Sequence, residues 1–149
     1  MLFAMTPEEE SAATAAYSQA RTKIHALDKS AAIATNTPAR LETSPGTKRT
    51  YVIPAFPRET ADAINQEFKS ALNAALGPER GSLLSKRIDE VFEAGPYALT
   101  QTRTLTLIRN GDKIQLVEMD PEGNTTSSST TDEEGNQVIP HHVRHLFEE

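Results

Sequence analysis

The sequence lacks cysteine, and this absence excludes several kinds of chemistry. Without a thiol the chain has no disulfide, no thiolate zinc site, no iron–sulfur cluster and no cysteine nucleophile. Tryptophan is also absent, and only five phenylalanines and three tyrosines are present. The apolar fraction of 37% is below the average for globular domains. A chain of 149 residues with this composition is expected to hold a small core surrounded by a good deal of polar chain.

The second half of the chain lacks enough basic side chains to balance its acidic ones. The formal net charge is −6, and residues 1–75 hold equal numbers of acidic and basic side chains. The excess of acid therefore lies in residues 76–149, most of all between Glu118 and Glu149, where eight acids accompany one base. A surface this negative repels phosphate, so we expect neither nucleic acid nor an anionic membrane surface as a partner.

Long apolar runs are lacking as well. The N-terminal MLFAM is too short for the core of a signal peptide and far too short to span a bilayer. Two interpretations stay open, a natural cytosolic start or the remainder of a missing N-terminal anchor. The expected localisation is therefore cytoplasmic or membrane-tethered periplasmic, and a membrane is expected as a partner only through such an anchor.

A long Ala-rich helix is predicted for residues 1–34. Thr6 can cap it, Pro7 suits the first helical position, and Glu9 completes a capping box. Apolar residues recur in this helix at spacings of four and three and therefore share one narrow face. This face, the helix-one stripe, comprises Ala13, Tyr17, Ala20, Ile24, Leu27, Ala31 and Ala34. The stripe is typical either of a short coiled coil with a protein partner or of packing on the protein's own helices. Because the stripe is mostly alanine, we expect this helix to project from the rest or to pack loosely.

The segment that follows, residues 35–50, contains two prolines and a glycine without periodicity, which predicts a flexible connector. Residues 51–149 are then predicted to form one compact α+β domain. The domain begins with a helical hairpin, in which Gly77 ends one helix and Pro78 starts the next. The second helix of the hairpin is expected to reach about Glu93.

The hydrophobic period then changes from 3.6 to 2, which predicts a three-stranded antiparallel β-meander. Asn110–Gly111 is a strong hairpin signal, and a two-residue turn there places Leu107 opposite Ile114. That register gives the hairpin one apolar and one polar face. The predicted third strand is a run of hydroxyl residues between two turn-rich clusters, DPEGN and DEEGN, and comprises Thr125, Thr126, Ser127, Ser128, Ser129, Thr130 and Thr131.

As an edge strand, this hydroxyl run is a candidate binding site for a protein partner. Its free side could accept a strand of another protein through main-chain hydrogen bonds. Its polar side chains would protect the edge from aggregation. The alternative interpretation is a flexible linker, because serine runs are common in mobile chain. Neither flanking cluster fits a calcium loop, because glycine is fourth in each cluster rather than sixth.

The best metal candidate lies in a short helix predicted at the C-terminus. His141 and His145 are four residues apart, so the two side chains could share one zinc ion, and Glu149, or Glu148 beside it, follows one turn later as a further candidate ligand. The usual zinc-hydrolase signature places a glutamate beside the first histidine, where this chain has His142. The competing interpretation is a solvated, pH-sensitive terminal helix, and no cofactor is predicted.

Four segments together resemble a loose class of uncharacterised bacterial proteins, some of which carry an N-terminal membrane anchor. They are TPEE before the long helix, IPAFP before the second helix, ALGPERGSLL at the helical joint and the terminal IPHHVRHLF. The resemblance implies a bacterial source and favours a membrane-tethered arrangement. It implies no activity and assigns no catalytic residue.

These features predict an α+β fold with a long N-terminal helix, a helical hairpin, a three-stranded meander and a short C-terminal helix. They favour a noncatalytic interaction or accessory domain of a bacterial protein, reached by a protein partner through the edge strand or the helix-one stripe. An enzyme is the less favoured hypothesis. Its form would be a metal-dependent hydrolase that uses His141 and His145.

Overall fold

The computed structural model describes residues 4–91 and 99–148, and it confirms the α+β class. The helices are α1 (Pro7–Ala31), α2 (Ala39–Glu42), α3 (Arg58–Leu76), α4 (Pro78–Val91) and α5 (Arg144–Phe147), with a 3-10 turn at His141–Val143. The strands are β1 (Ile33–Thr35), β2 (Thr47–Ile53), β3 (Arg103–Asn110), β4 (Lys113–Met119), β5 (Thr125–Ser128), β6 (Thr130–Thr131) and β7 (Gln137–Val138). The predicted helix end near Glu93 lies outside the described residues.

The chain divides into two compact units. The first comprises Met1–Ala26 and Phe56–Thr100, and it contains most of α1 together with α3 and α4. The second comprises Leu27–Ala55 and Gln101–Glu149, and it contains the last residues of α1, every described strand, α2 and α5.

The start of α1, in the first unit, has the predicted capping box. The amide of Glu9 donates to Oγ1 of Thr6 at 3.2 Å, and the amide of Thr6 donates to Oε2 of Glu9 at 3.0 Å. Arg80 of α4 binds the same carboxylate, with Nη1 2.8 Å from Oε1, and also donates to the carbonyl of Ala4 at 2.8 Å. The bond from Arg80, followed by that from the Thr6 backbone, lowers the pKa of Glu9 below its ordinary value. The first turns of α1 and α4 are thereby joined.

Further along, α1 packs on α3 through small side chains. Ala13 and Ala16 are buried in one cluster with Phe68 and Leu72. Tyr17 meets the ring of Phe68 edge to face, with the ring centroids 6.5 Å apart, and remains 45% exposed. Of the two interpretations of the helix-one stripe, these contacts favour packing on the protein's own helices. Alanine suits this contact because its short side chain permits two helices to approach closely.

The predicted helical hairpin is formed by α3 and α4. Gly77 ends α3 with a φ of 85°, and Pro78 is the first residue of α4. The two helices are close where they pass each other, because a Cβ added to Gly81 would lie 2.3 Å from Oδ1 of Asn73. Glycine at this position in α4 permits that approach. The buried face of α3 comprises Ala61, Ile64, Asn65, Phe68, Leu72 and Leu76.

The second unit contains a five-stranded antiparallel sheet with the order β1-β2-β3-β4-β5. The predicted three-stranded meander corresponds to β3, β4 and β5. Residues 35–50, predicted as a flexible connector, contain the end of β1, the whole of α2 and the start of β2. These elements lack a periodic signal because α2 is only four residues long and the three residues of β1 are all exposed.

The β3–β4 hairpin turns one residue later than predicted. Leu107 pairs with Leu116 and Asn110 pairs with Lys113, so Gly111 and Asp112 form the turn. In the predicted register Leu107 pairs with Ile114, two residues before Leu116. Each residue of β3 therefore pairs with a residue two positions further along β4 than predicted. A shift of two residues keeps every side chain on its predicted face, because side chains alternate with a period of two.

The predicted polar face of this hairpin is buried at Thr106, half-buried at Thr104 and exposed at Gln115, and other parts of the second unit contact both faces of the sheet. On one face, the hydroxyl of Thr37, just before α2, lies 3.1 Å from that of Thr50, which lies 2.9 Å from that of Thr106. On the other face α5 packs, and the ring of Phe147 meets that of Tyr51 edge to face at 5.3 Å. The alternation of polar and apolar residues in β3 and β4 could not show that Thr37, just before α2, would pack against Thr50 and thereby extend the row of hydroxyls to Thr106.

Candidate functional site

The hydroxyl run forms two short strands rather than one strand of seven residues. β5 (Thr125–Ser128) pairs with β4, β6 (Thr130–Thr131) pairs with β7, and Ser129 lies between them. The break has a physical cause. A longer β5 would run alongside Ile114, whose amide already donates to the side-chain Oε1 of Gln137 at 2.6 Å.

The two clusters that flank the run form the same three-residue hairpin loop. In the first, the amide of Gly123 donates to the carbonyl of Asp120 at 3.0 Å, and the amide of Asp120 donates to the carbonyl of Asn124 at 3.0 Å. The second loop, Asp132–Asn136, repeats these two bonds at 3.1 and 2.9 Å. The glycines have φ values of 88° and 85°, as a type I turn followed by a bulge requires.

The aspartate that opens each loop holds the loop together. Asp120 accepts the amide of Asn124 at 2.8 Å and its side-chain nitrogen at 3.0 Å, and Asp132 accepts the same groups of Asn136 at 2.8 and 3.3 Å. The pKa of Asp120 is lowered, mainly by the hydrogen bond from the side chain of Asn124. The pKa of Asp132 is lowered as well, mainly by the hydrogen bond from the backbone amide of Asn136. The repeated sequence is therefore a repeated turn, as the sequence predicted.

β5 is the last strand of the five-stranded sheet, and all four of its residues are exposed. The Oγ of Ser127 accepts a hydrogen bond from Nε2 of Gln115. Thr126 pairs with Glu118, whose Oε1 lies 3.1 Å from Nε2 of His142. The side chains of β5 themselves carry no charge, so its chemistry as a surface is that of hydroxyls and main-chain groups.

The direction of each main-chain group in β5 follows from the first hairpin loop. Asp120 and Asn124 form a hydrogen-bonded pair at the end of the β4–β5 ladder. In an antiparallel ladder such pairs alternate with pairs that are not hydrogen-bonded. The second and fourth residues of β5, Thr126 and Ser128, are therefore bonded to β4. The first and third residues direct their N–H and C=O groups away from the sheet.

Acidic residues precede β5 and follow β6 along the chain. Asp120 and Glu122 belong to the loop before β5, and Asp132, Glu133 and Glu134 belong to the loop after β6. Glu122 and the three acids of the second loop are exposed. In chain order, the uncharged strand β5 therefore lies between two groups of acidic residues, one directly before it and one after β6.

A positive charge contacts the first loop from α2. Nη2 of Arg40 donates to the carbonyl of Gly123 and lies 3.2 Å from Sδ of Met119. Arg40 thus contacts the main chain of the loop, and it offsets part of the charge at one end of the edge.

The structure describes two of the three predicted metal ligands, and these two lie in different surroundings. His141 is exposed in the 3-10 turn, whereas His145 lies in α5 with both ring nitrogens buried. Nε2 of His145 is 3.5 Å from Oδ2 of Asp28. Among the described residues, no group of three or more His, Cys, Asp or Glu side chains could hold a metal ion. Glu149, the third predicted ligand, lies outside the described residues.

Asp28 is the centre of a buried polar cluster that the sequence analysis missed. Arg103 binds its carboxylate with both terminal nitrogens, Nη2 at 2.5 Å from Oδ1 and Nη1 at 3.3 Å from Oδ2. The side chains of Asp28, Arg103 and His145 are 5, 23 and 13% exposed. Burial raises the pKa of Asp28, but hydrogen bonds with His145 and Arg103 outweigh it and hold the pKa below its ordinary value.

This cluster has the geometry of a structural contact. Its members come from the end of α1, the start of β3 and α5, so it fastens the C-terminal helix to the sheet. The ring nitrogens of His145 are buried, so in this arrangement the imidazole faces the carboxylate of Asp28 and not bulk solvent. One sequence signal did exist, since an aspartate in the last turn of a helix faces the unfavourable end of the helix dipole and needs a cationic partner.

Comparison with known proteins finds no relative of this chain, because no family model, no curated protein and no solved structure matches it. Within the described ranges, no helix combines the length and the apolar character that crossing a bilayer requires. The exposed β5 edge is the candidate functional site.

Proposed function

We propose that the protein is a noncatalytic interaction domain whose free β5 edge takes up an extended segment of a partner protein. The observation that carries the proposal is the outward direction of the main-chain groups of Thr125 and Ser127 on an exposed edge strand. In the described part of the chain, β5 has a neighbour in the sheet on one side only. Edges of this kind bind extended peptides by adding a strand to the sheet.

The charge around the edge indicates the chemistry of the partner segment. The middle of the segment should be neutral, because it lies beside four uncharged residues, which span about 13 Å in a strand. Its ends should be basic, because they approach the acidic loops that begin at Asp120 and Asp132. Complementary charge of this kind raises the association rate and fixes the register of the added strand.

A peptide-binding assay tests the proposal. The probe is a fluorescein-labelled peptide with two lysines at each end and an alternating Val-Thr centre, and fluorescence anisotropy measures its binding. The wild-type protein should bind it, and Ser127→Pro should bind at least about tenfold more weakly, because proline removes an outward donor. Ser129→Pro is the matched control, because Ser129 lies between the two strands, and it should bind as the wild type does.

Two results of this assay contradict the proposal. One is that the wild-type protein does not bind the peptide. The other is that Ser127→Pro binds it as tightly as the wild type, which would place the binding site elsewhere. A peptide with the same centre and glutamates at its ends controls for charge and should bind more weakly than the lysine peptide.

A proline scan tests separately whether the run is a strand or a linker. Proline at Thr126 or Ser128 removes a hydrogen bond to β4, and each should lower the free energy of unfolding by about 1 kcal/mol or more. Proline at Ser127 should cost clearly less, because its amide faces outward. Nearly equal costs at all three positions, measured by urea denaturation, are the result expected of a flexible linker and would remove the basis of the proposal.

The described geometry gives no support to the alternative, a metal-dependent hydrolase that uses His141 and His145. His141 is exposed, and His145 lies beside Asp28 in the buried cluster. Metal analysis of protein purified without chelators distinguishes the two hypotheses. A stoichiometric metal that is lost in His141→Ala would favour the hydrolase. The bacterial source and the membrane tether belong to the same proposal and are supported only by the resemblance of the four sequence segments.

A further inference from the structure

We propose that the partner segment for β5 includes the β1 edge of a second copy of this chain, so that copies associate head to tail. The inference rests on the proposed function, because it requires β5 to accept a strand, and it identifies one strand that fits. Both edges belong to the same five-stranded sheet, in which β1 and β5 are the two outermost strands.

The β1 edge is open and partly apolar. Its three residues, Ile33–Thr35, are all exposed, and Ile33 is 60% exposed although it is a large aliphatic residue. β1 pairs with β2, and within the described ranges it has no neighbouring strand on its other side. An exposed apolar residue at such an edge gains most from a second strand, which would cover the side chain as well as the main-chain groups.

The charge around β1 is opposite to the charge around β5. Lys29, in the last turn of α1, is exposed four residues before β1 begins. At the other end, Lys48 lies on β2 two residues from Thr50, which pairs with Thr35, and its Nζ donates to the carbonyl of Gly46 at 3.1 Å. Lysines therefore lie near both ends of β1, as acids lie near both ends of β5.

This complementarity selects one of three ways in which two copies can join their edges. A β5–β5 contact brings the acidic loops of both copies together, and a β1–β1 contact brings the lysines of both copies together. A β1–β5 contact brings lysines beside acids and pairs a three-residue strand with a four-residue strand. Such a contact joins two different surfaces, so the pair keeps one free β5, on the copy that uses its β1, and one free β1, on the other copy, for further copies.

The association should be weak and sensitive to salt. Only three residues of β1 are available to pair, so few main-chain bonds form. The charged groups are exposed, and their attraction is screened beyond about 10 Å at 0.1 M salt. We therefore expect concentration-dependent association of the wild-type protein that weakens at least about tenfold between roughly 0.05 and 0.5 M NaCl.

Mixing two blocked variants tests the arrangement by sedimentation velocity. Ser127→Pro removes an outward donor of β5 and leaves β1 intact. Ile33→Glu places an acid on β1, where it would face the acidic loops, and leaves β5 intact; Ile33 is exposed, so the fold should tolerate the change. Each variant alone should remain monomeric, and an equimolar mixture should form a dimer and nothing larger. If Ser127→Pro does not fold, Thr125→Pro, which removes the other outward amide, replaces it.

Each contrary result overturns the inference in a recognisable way. Dimers of Ile33→Glu alone would show a β5–β5 contact, and dimers of Ser127→Pro alone would show a β1–β1 contact. The two edges do not associate if the wild-type protein stays monomeric up to a concentration of about 1 mM. Even a weak contact, with a Kd of about 1 mM, would already form dimers there. If the lysine peptide still binds at β5 in that case, the proposed function stands and only this inference fails; if the peptide also fails to bind, both fail.

Discussion

Replacing Asp28 with asparagine removes the negative charge around which Arg103 and His145 are arranged. The substitution preserves the shape of the side chain, so its effect reports the charge rather than a cavity. It leaves the guanidinium of Arg103, which is 23% exposed, without the carboxylate that it binds at 2.5 and 3.3 Å. Breaking a buried ion pair from one side costs about 3–5 kcal/mol. Because Arg103 retains some contact with water, we expect about 3 kcal/mol.

A loss of this size is measurable by urea denaturation followed by far-UV circular dichroism. A domain of ordinary stability unfolds with about 5–15 kcal/mol, so the midpoint should fall substantially while the slope stays unchanged. Combining Asp28→Asn with Arg103→Met completes a double-mutant cycle. The coupling energy should be about 1–3 kcal/mol, because the two side chains contact each other directly.

The control for this experiment is Asp112→Asn in the turn between β3 and β4. Asp112 is exposed, and the substitution should change the free energy of unfolding by no more than about 0.5 kcal/mol. If Asp28→Asn costs less than about 1 kcal/mol, or if the cycle is additive, the cluster does not hold α5 to the sheet as the geometry indicates.

Three further predictions concern acid stability, a loop glycine and the α1–α3 core. The pKa of Asp28 is lower in the folded protein than in the unfolded chain, where it is about 3.9. The contribution of Asp28 to the free energy of unfolding is therefore fully present above that value and is lost as the pH falls through the folded pKa. The difference in urea midpoint between the wild type and Asp28→Asn should accordingly shrink between about pH 5 and pH 2, and a constant difference would contradict this. Gly46→Ala should cost at least about 2 kcal/mol in thermal unfolding, because Gly46 has a φ of 109° and the added Cβ would lie 2.1 Å from the carbonyl oxygen of Arg109. Gly135→Ala, at a φ of 85° with open space around it, should cost about 1 kcal/mol. Equal costs for the two variants would refute the steric argument. Phe68→Ala should cost about 3–5 kcal/mol in urea denaturation, and a cost below about 1 kcal/mol would place the ring outside the core.

Features with a strong local signal could be predicted from the sequence. The capping box of Thr6 and Glu9 forms because its two partners are three residues apart, and Gly77 and Pro78 end and start helices because of their own backbone preferences. The two acidic loops were predictable for the same reason, since aspartate, glycine and asparagine each favour the turn that they form.

Features that depend on distant partners could not be predicted in this way. β1 is three exposed residues with no alternation, and it becomes a strand only because Ile33–Thr35 pairs with β2. The break at Ser129 depends on the side chain of Gln137 reaching the amide of Ile114. His145 was grouped with His141 because of their spacing, whereas its contact in the fold is Asp28, far away in the sequence.

Amide hydrogen exchange in β5, measured by NMR with and without the lysine peptide, tests the central claim most directly. In the free protein, the amides of Thr126 and Ser128 should exchange slowly and those of Thr125 and Ser127 quickly. With saturating peptide, the amides of Thr125 and Ser127 should slow by at least about tenfold, because the added strand accepts their hydrogen bonds. Fast exchange at all four residues in both states, or slowing elsewhere with Thr125 and Ser127 unchanged, would contradict the claim that β5 is a docking edge.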